Sequence, residues 1–138
     1  FNIGLIDANE DYMETIANIR YPVTYEESDI YDRIIKAVSK YGIQVDKIEH
    51  QKPLYVPKDN PLVQKLMKVY KEFTGDTTSE PLAIGGGTYA RAIDNAVAFG
   101  AAFPGELELA HQKDEYIKID SLIKSTKIYA RAIYELAK

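Results

Sequence analysis

Cysteine is absent from this sequence of 138 residues, and histidine occurs only twice. The first absence excludes disulfides, thiolate zinc sites and cysteine nucleophiles, and it fits a reducing compartment, with the cytoplasm as the expected location. The second confines imidazole chemistry to His50 and His111. No run approaches the ~18 apolar residues that a membrane-spanning helix needs, and nothing in the first residues reads as a signal peptide, so no membrane partner is expected. Basic clusters are lacking too. With a net charge of −4 and no cationic patch, nucleic acid is not an expected partner. The first residue is Phe1, inside a strand-like run, and Met13 and Met67 are both internal. The expectation is a piece cut from a longer protein.

What is present is ordinary for a globular chain: 46% apolar and 28% charged residues, enough to build a core. The charge is distributed unevenly. Residues 1–56 carry ten acidic and six basic side chains, whereas residues 57–138 carry eleven of each. That imbalance suggests two units meeting near residue 56.

Periodicity supports the same division. Phe1, Ile3 and Leu5 alternate, as do Met13, Thr15, Ala17, Ile19 and Tyr21, with turn-forming Ala8–Asp11 between them; the pattern predicts a β-hairpin ended by Pro22. Thr24-Tyr25-Glu26-Glu27 reads as a capping box opening a helix whose stripe is Ile30, Ile34, Val38 and Tyr41, closed by Gly42. A third strand is predicted over 43–50, giving a ββαβ order for residues 1–56. Lys52–Pro57 reads as a stiff connector. In residues 57–138, Asn60 and Pro61 open a helix burying Leu62, Leu66, Val69 and Phe73, and Gly75 stops it. Short buried strands are predicted at 81–84 and 96–101, and a last helix from about Asp120, with Leu122, Thr126, Tyr129, Ile133 and Leu136 inward. The expected class is therefore α+β followed by an α/β layer.

Few residues offer chemistry. His50, in the predicted third strand, reads as a structural histidine. His111 lies in the polar stretch Ala110–Glu115 after a buried strand and a Pro-Gly turn, where α/β domains carry functional groups. Taken alone it reads as a surface histidine, because a metal site needs three or four ligands and nothing nearby completes a set. Gly85-Gly86-Gly87-Thr88 can be an anion cradle or a tight turn; it is neither a P-loop nor a dinucleotide fingerprint. Arg20 by itself is a solvated strand charge. Asp114 and Glu115 read first as helix-dipole partners and only second as an acid-base pair.

In order, however, Asn18-Ile19-Arg20-Tyr21-Pro22, Gly85-Gly86-Gly87-Thr88-Tyr89-Ala90-Arg91, Phe103-Pro104-Gly105 and His111-Gln112-Lys113-Asp114-Glu115-Tyr116-Ile117 resemble the PepV-type dipeptidases. These are bacterial enzymes with two zinc or manganese ions, related to carboxypeptidase G, aminoacylases and succinyl-diaminopimelate desuccinylase. Tyr89-Ala90, where many related deacylases have Ser-Asp, resembles the dipeptidase branch.

The resemblance implies that residues 1–56 are the later part of a ferredoxin-like lid and residues 57–138 the last part of a zinc-peptidase catalytic domain. It implies that His111 is a metal ligand, that Arg20 grips the substrate's terminal carboxylate, and that Gly86, Gly87 and Thr88 help to hold that end. The partners implied are a dipeptide and the N-terminal remainder of the same protein; the missing first lid strand leaves open edges that a homodimer, a non-family strand order or the missing half as a separate chain can close. The family's other ligands and its general base have no counterpart in this sequence, so the chain alone is expected to be inactive. The alternatives are an N-acyl amino-acid deacylase of the same superfamily and a non-catalytic anion-binding module.

Overall fold

A computed structural model describes residues 1–100 and 102–138. They form two compact units, Phe1–Tyr55 and Val56–Lys138, and the division falls inside the proline-flanked connector. Secondary structure is mixed α+β: one two-stranded antiparallel sheet and three α-helices.

The first unit opens with β1 (Asn2–Ala8) and β2 (Met13–Asn18), paired from Asn2↔Asn18 to Ala8↔Met13. The turn is made by Asn9, whose side-chain oxygen accepts from the N–H groups of Asp11 (2.8 Å) and Tyr12 (3.1 Å) while its own N–H donates to Tyr12 O (2.9 Å). An asparagine that satisfies its own turn in this way mimics a backbone bond. Across the hairpin, Tyr12 donates to Asp7 Oδ2 at 2.7 Å, a bond that raises the phenol's pKa. Gly4 has no partner in the register, and Ile3↔Ala17 is followed directly by Leu5↔Ile16. The extra residue is a bulge, and a bulge interrupts the two-residue alternation that the sequence suggests for β1.

Helix α1 (Glu27–Val38) follows. Its cap is Glu26, not Thr24, and Asp29 Oδ2 accepts from the Glu26 N–H at 2.9 Å. The predicted box is thus displaced by two residues, and the Tyr25 N–H closes a turn on Pro22 O (3.1 Å) ahead of the helix. A short 3₁₀ turn, Ser39–Tyr41, ends at Gly42, whose φ of 70° is the left-handed geometry that a glycine cap supplies.

Two further expectations fail in this unit. The second strand stops at Asn18 rather than reaching Tyr21, and residues 43–50 form no strand, so ββαβ is reduced to ββα. A strand exists only where a neighbour supplies a hydrogen-bond ladder. Here the segment is fastened to α1 by side chains instead: Tyr31 Oη donates to Val45 O (3.0 Å), and Glu27 pairs with Lys47 Nζ (2.7 Å).

In the second unit α2 (Pro61–Thr74) behaves as the sequence requires. Asn60 accepts from the Leu62 N–H at 2.9 Å, Pro61 occupies the first turn, and Gly75 caps the end at φ 71°. Helix α3 (Ile119–Ala137) packs on it, and the core is Leu66, Val69, Ile128 and Ala132, flanked by Leu62, Phe73, Val97, Phe99 and Phe103. The buried face of α3 is Ser121, Ser125, Ile128 and Ala132, not the predicted Leu122–Leu136 stripe. Small residues let two helices approach closely, and hydrophobicity alone does not mark them. Leu122 (51% exposed) and Ile133 (68%) face outward. The strands predicted at 81–84 and 96–101 are also absent: 81–84 and 96–100 are irregular, Leu82 is 89% exposed, and residue 101 lies outside the described residues. Among the described residues this unit consists of two packed helices with connecting chain, and the chain keeps the mixed helix-and-strand class expected of it.

Candidate functional site

Each expected site residue lies on irregular backbone beside a regular element. Arg20 is exposed, two residues beyond the end of β2, in the first unit. The other four belong to the second unit.

Gly86 and Gly87 lead through Thr88 into a 3₁₀ turn, Tyr89–Ala92. None of the glycines in this loop uses a left-handed backbone, so their role here is not to make a reverse turn. At Gly87 a Cβ would sit 3.2 Å from Arg91 Nη1, a tight contact that a small shift of the arginine side chain relieves. The Arg91 N–H closes the turn on Thr88 O at 3.1 Å, which folds the cation back over the loop. Thr88 is half-buried in extended geometry, while Gly86 and Gly87 are exposed. The loop thus presents backbone beside a guanidinium, chemistry suited to a carboxylate.

His111 is exposed and has φ 64°, left-handed for a residue with a side chain. Its N–H donates to Glu115 Oε2 at 3.1 Å, and Asp114 shares the left-handed geometry at φ 60°. Backbone of this kind, outside glycine, is uncommon and concentrates at functional positions. Upstream, the Phe103-Pro104-Gly105 turn is tied to α3, because Glu106 accepts from the Phe103 N–H (3.0 Å) and from the Ser121 hydroxyl. Those two bonds, the Ser121 hydroxyl first, hold the Glu106 carboxyl below its usual range.

A metal site is not completed by these residues. Among the described residues no group of three or more His, Asp or Glu side chains is placed to hold an ion, so His111 is a single donor where three or four are needed. An apolar hollow in the same unit, lined by Leu62, Phe99, Tyr129 and Ile133 among others, includes none of the expected site residues.

Sequence reasoning missed one cluster. His50, read as a bare structural histidine, has Nε2 2.5 Å from Tyr21 Oη and Nδ1 3.4 Å from Glu27 Oε2. Its only signal was that Tyr21 neighbours Arg20. The Glu27 carboxyl is held below its ordinary range, first by the hydrogen bond to Lys47, then by His50 and Lys52.

Among the described residues no helix is long and apolar enough to cross a membrane. Over 136 residues the chain is 44% identical to "Putative dipeptidase SH1171" of Staphylococcus haemolyticus, covering 98% of this chain and 29% of that protein. It is 50% identical over 121 residues to "Putative dipeptidase YtjP" of Bacillus subtilis, covering 88% of this chain and 25% of that one. The chain therefore spans between a quarter and a third of the length of these relatives. The pattern of the M20/M25/M40 peptidase family matches residues 9–135, which include the Arg20 segment, the glycine loop and the His111 turn. With nearly the whole chain covered by that match, the protein belongs to peptidase family M20/M25/M40.

Proposed function

We propose that the whole protein is a metal-dependent dipeptidase of the cytoplasm, and that this chain supplies its grip on the substrate's free C-terminal carboxylate and one metal ligand. The observation that carries this reading is the 44–50% identity to proteins named as dipeptidases, across a chain that holds all four motifs in order. Residues 1–56 then serve as lid and residues 57–138 as the end of the catalytic domain.

Arg20 supplies the planar, two-donor fork that matches a carboxylate, and an exposed position past a strand end suits a group that closes on its ligand. Gly86, Gly87 and Thr88 add backbone and hydroxyl donors to the same end of the substrate. His111 offers a neutral imidazole, a good ligand for zinc, with manganese as the other candidate. Two ions are expected in the whole protein. A hydrolytic metal activates water, and a base must accept its proton; this chain's own residues hold neither, so the chain alone is inactive on this reading.

The same reading gives the partners: a dipeptide, the remainder of the same protein and a second copy. Support for pairing is that β1 and β2 bond only to each other among the described residues, leaving two strand edges open.

The test is to assay the full-length protein, loaded with zinc or manganese, on free dipeptides and on N-acyl amino acids. Turnover of dipeptides with little action on the acyl compounds is expected. Preference for the acyl compounds would replace this reading with that of a deacylase.

A further inference from the structure

The ladder of β2 ends at Asn18, so nothing in the sheet fixes the chain at Arg20 and Tyr21. A long-range tie on this segment is Tyr21, which reaches across 29 residues to His50. The two rings are parallel within 5°, with centroids 6.0 Å apart. Because Oη lies in the phenol plane and Nε2 in the imidazole plane, their 2.5 Å separation limits the offset of the planes to about that value. That is closer than stacked rings can come, so the contact is an in-plane, end-on hydrogen bond and not a face-to-face stack.

The other ring nitrogen fixes the chemistry. Nδ1 faces Glu27 Oε2 at 3.4 Å, on the first turn of α1, and an ionised carboxylate only accepts. Nδ1 therefore carries the proton, Nε2 is the acceptor, and the Tyr21 hydroxyl donates to it. Lys47 pairs with Glu27 at 2.7 Å and Lys52 adds positive potential there, which keeps the carboxylate charged. This Glu27–His50–Tyr21 chain ties α1, the 43–50 segment and the end of β2 to one another.

We infer that His50 is a positioning residue: by accepting the Tyr21 hydroxyl it sets the backbone that carries Arg20, and so tunes recognition of the substrate's carboxylate. The inference rests on the proposed role of Arg20. Tyr21 also precedes Pro22, which restricts it to extended geometry. With one end stiffened by proline and the other anchored through the hydroxyl, little freedom remains at residue 20.

The test is steady-state kinetics of the full-length protein on free and C-terminally amidated dipeptides, for wild type, His50→Ala, His50→Gln, Tyr21→Phe and Arg20→Lys. Losing one such hydrogen bond should raise KM for free dipeptides by about 5- to 10-fold in His50→Ala and Tyr21→Phe, with kcat little changed. His50→Gln, which retains an acceptor, should recover most of the loss. Tyr21→Phe removes a single oxygen and keeps the test open if His50→Ala fails to fold. Wild-type KM in Tyr21→Phe, or equal losses on free and amidated substrates in the His50 variants, would overturn the inference. If Arg20→Lys also fails to discriminate between the two substrates, the underlying role of Arg20 falls. If Arg20→Lys discriminates and Tyr21→Phe does not, only the role of His50 falls.

Discussion

The two units are held together by different physics. Residues 56–138 have an apolar centre in which Val69 is 1% and Ile128 3% exposed, between two packed helices. Residues 1–55 bury no described side chain fully; a hairpin and one helix are joined by polar bonds, among them Tyr21–His50, Glu27–Lys47 and Tyr31–Val45. Apolar burial is non-directional and cumulative, whereas a polar tether fixes one geometry and contributes little net stability. The contrast suits a division of labour in which one unit anchors and the other reaches for substrate.

The largest effect expected is on the anchoring side. In the full-length protein His111→Ala should lower turnover by more than the ~100-fold upper range of changes around a metal's ligands. Because His111 has a left-handed backbone, His111→Gly is the matched control: equal loss in both variants assigns the effect to the imidazole. Metal content measured on the same samples should fall. Near-normal turnover with full metal would show that His111 is no ligand.

Next in size is the contrast in the cores. Leu66→Ala should destabilise the second unit by about 2–5 kcal/mol in denaturant titrations. Ile3→Ala, at a position 53% exposed in the hairpin, should change stability by no more than about 0.5 kcal/mol. A comparable loss in both would dissolve the distinction between the units.

A smaller effect belongs to the cap of α2. Asn60→Ala removes the acceptor of the Leu62 N–H and should cost about 1 kcal/mol, with Asn60→Asp retaining it.

The smallest is acid sensitivity. Asp76 accepts from the Ser79 hydroxyl (2.5 Å), the Ser79 and Thr78 N–H groups, the Thr78 hydroxyl and Tyr70 Oη (each 3.0 Å). The Ser79 hydroxyl leads the groups that hold its carboxyl well below the ordinary 3.8. A group whose folded pKa lies below its unfolded one stabilises fully above the unfolded value and loses that stabilisation as pH falls toward the folded value. The second unit should therefore weaken below about pH 4, and Asp76→Asn should flatten that part of the curve. Solvent around the loop keeps the effect modest.

How much of this was readable from the sequence differed by kind of signal. Three caps were legible because they act through one or two neighbouring residues: Asn60-Pro61, Gly75 and Gly42 sit where expected, whereas the box expected at Thr24 lies at Glu26. The hairpin was legible because turn and alternation agree locally. Strands at 43–50, 81–84 and 96–101 were not, since apolar alternation states a preference that only a ladder partner can realise. The inward face of α3 was missed because Ser121, Ser125 and Ala132 advertise no hydrophobicity. Of the candidate site, the motifs and their order were readable as a mark of the family; the left-handed turn at His111 and the Tyr21–His50 bond depend on tertiary placement.

The division of labour is tested most directly by pairing one substitution with one change of substrate. Arg20→Lys in the full-length protein should depress kcat/KM for dipeptides with a free C-terminus, because an ammonium cannot reproduce the planar fork. The loss should shrink when the C-terminus is amidated, since the carboxylate that the fork grips is then gone. Equal losses on the free and the amidated peptide would contradict the account.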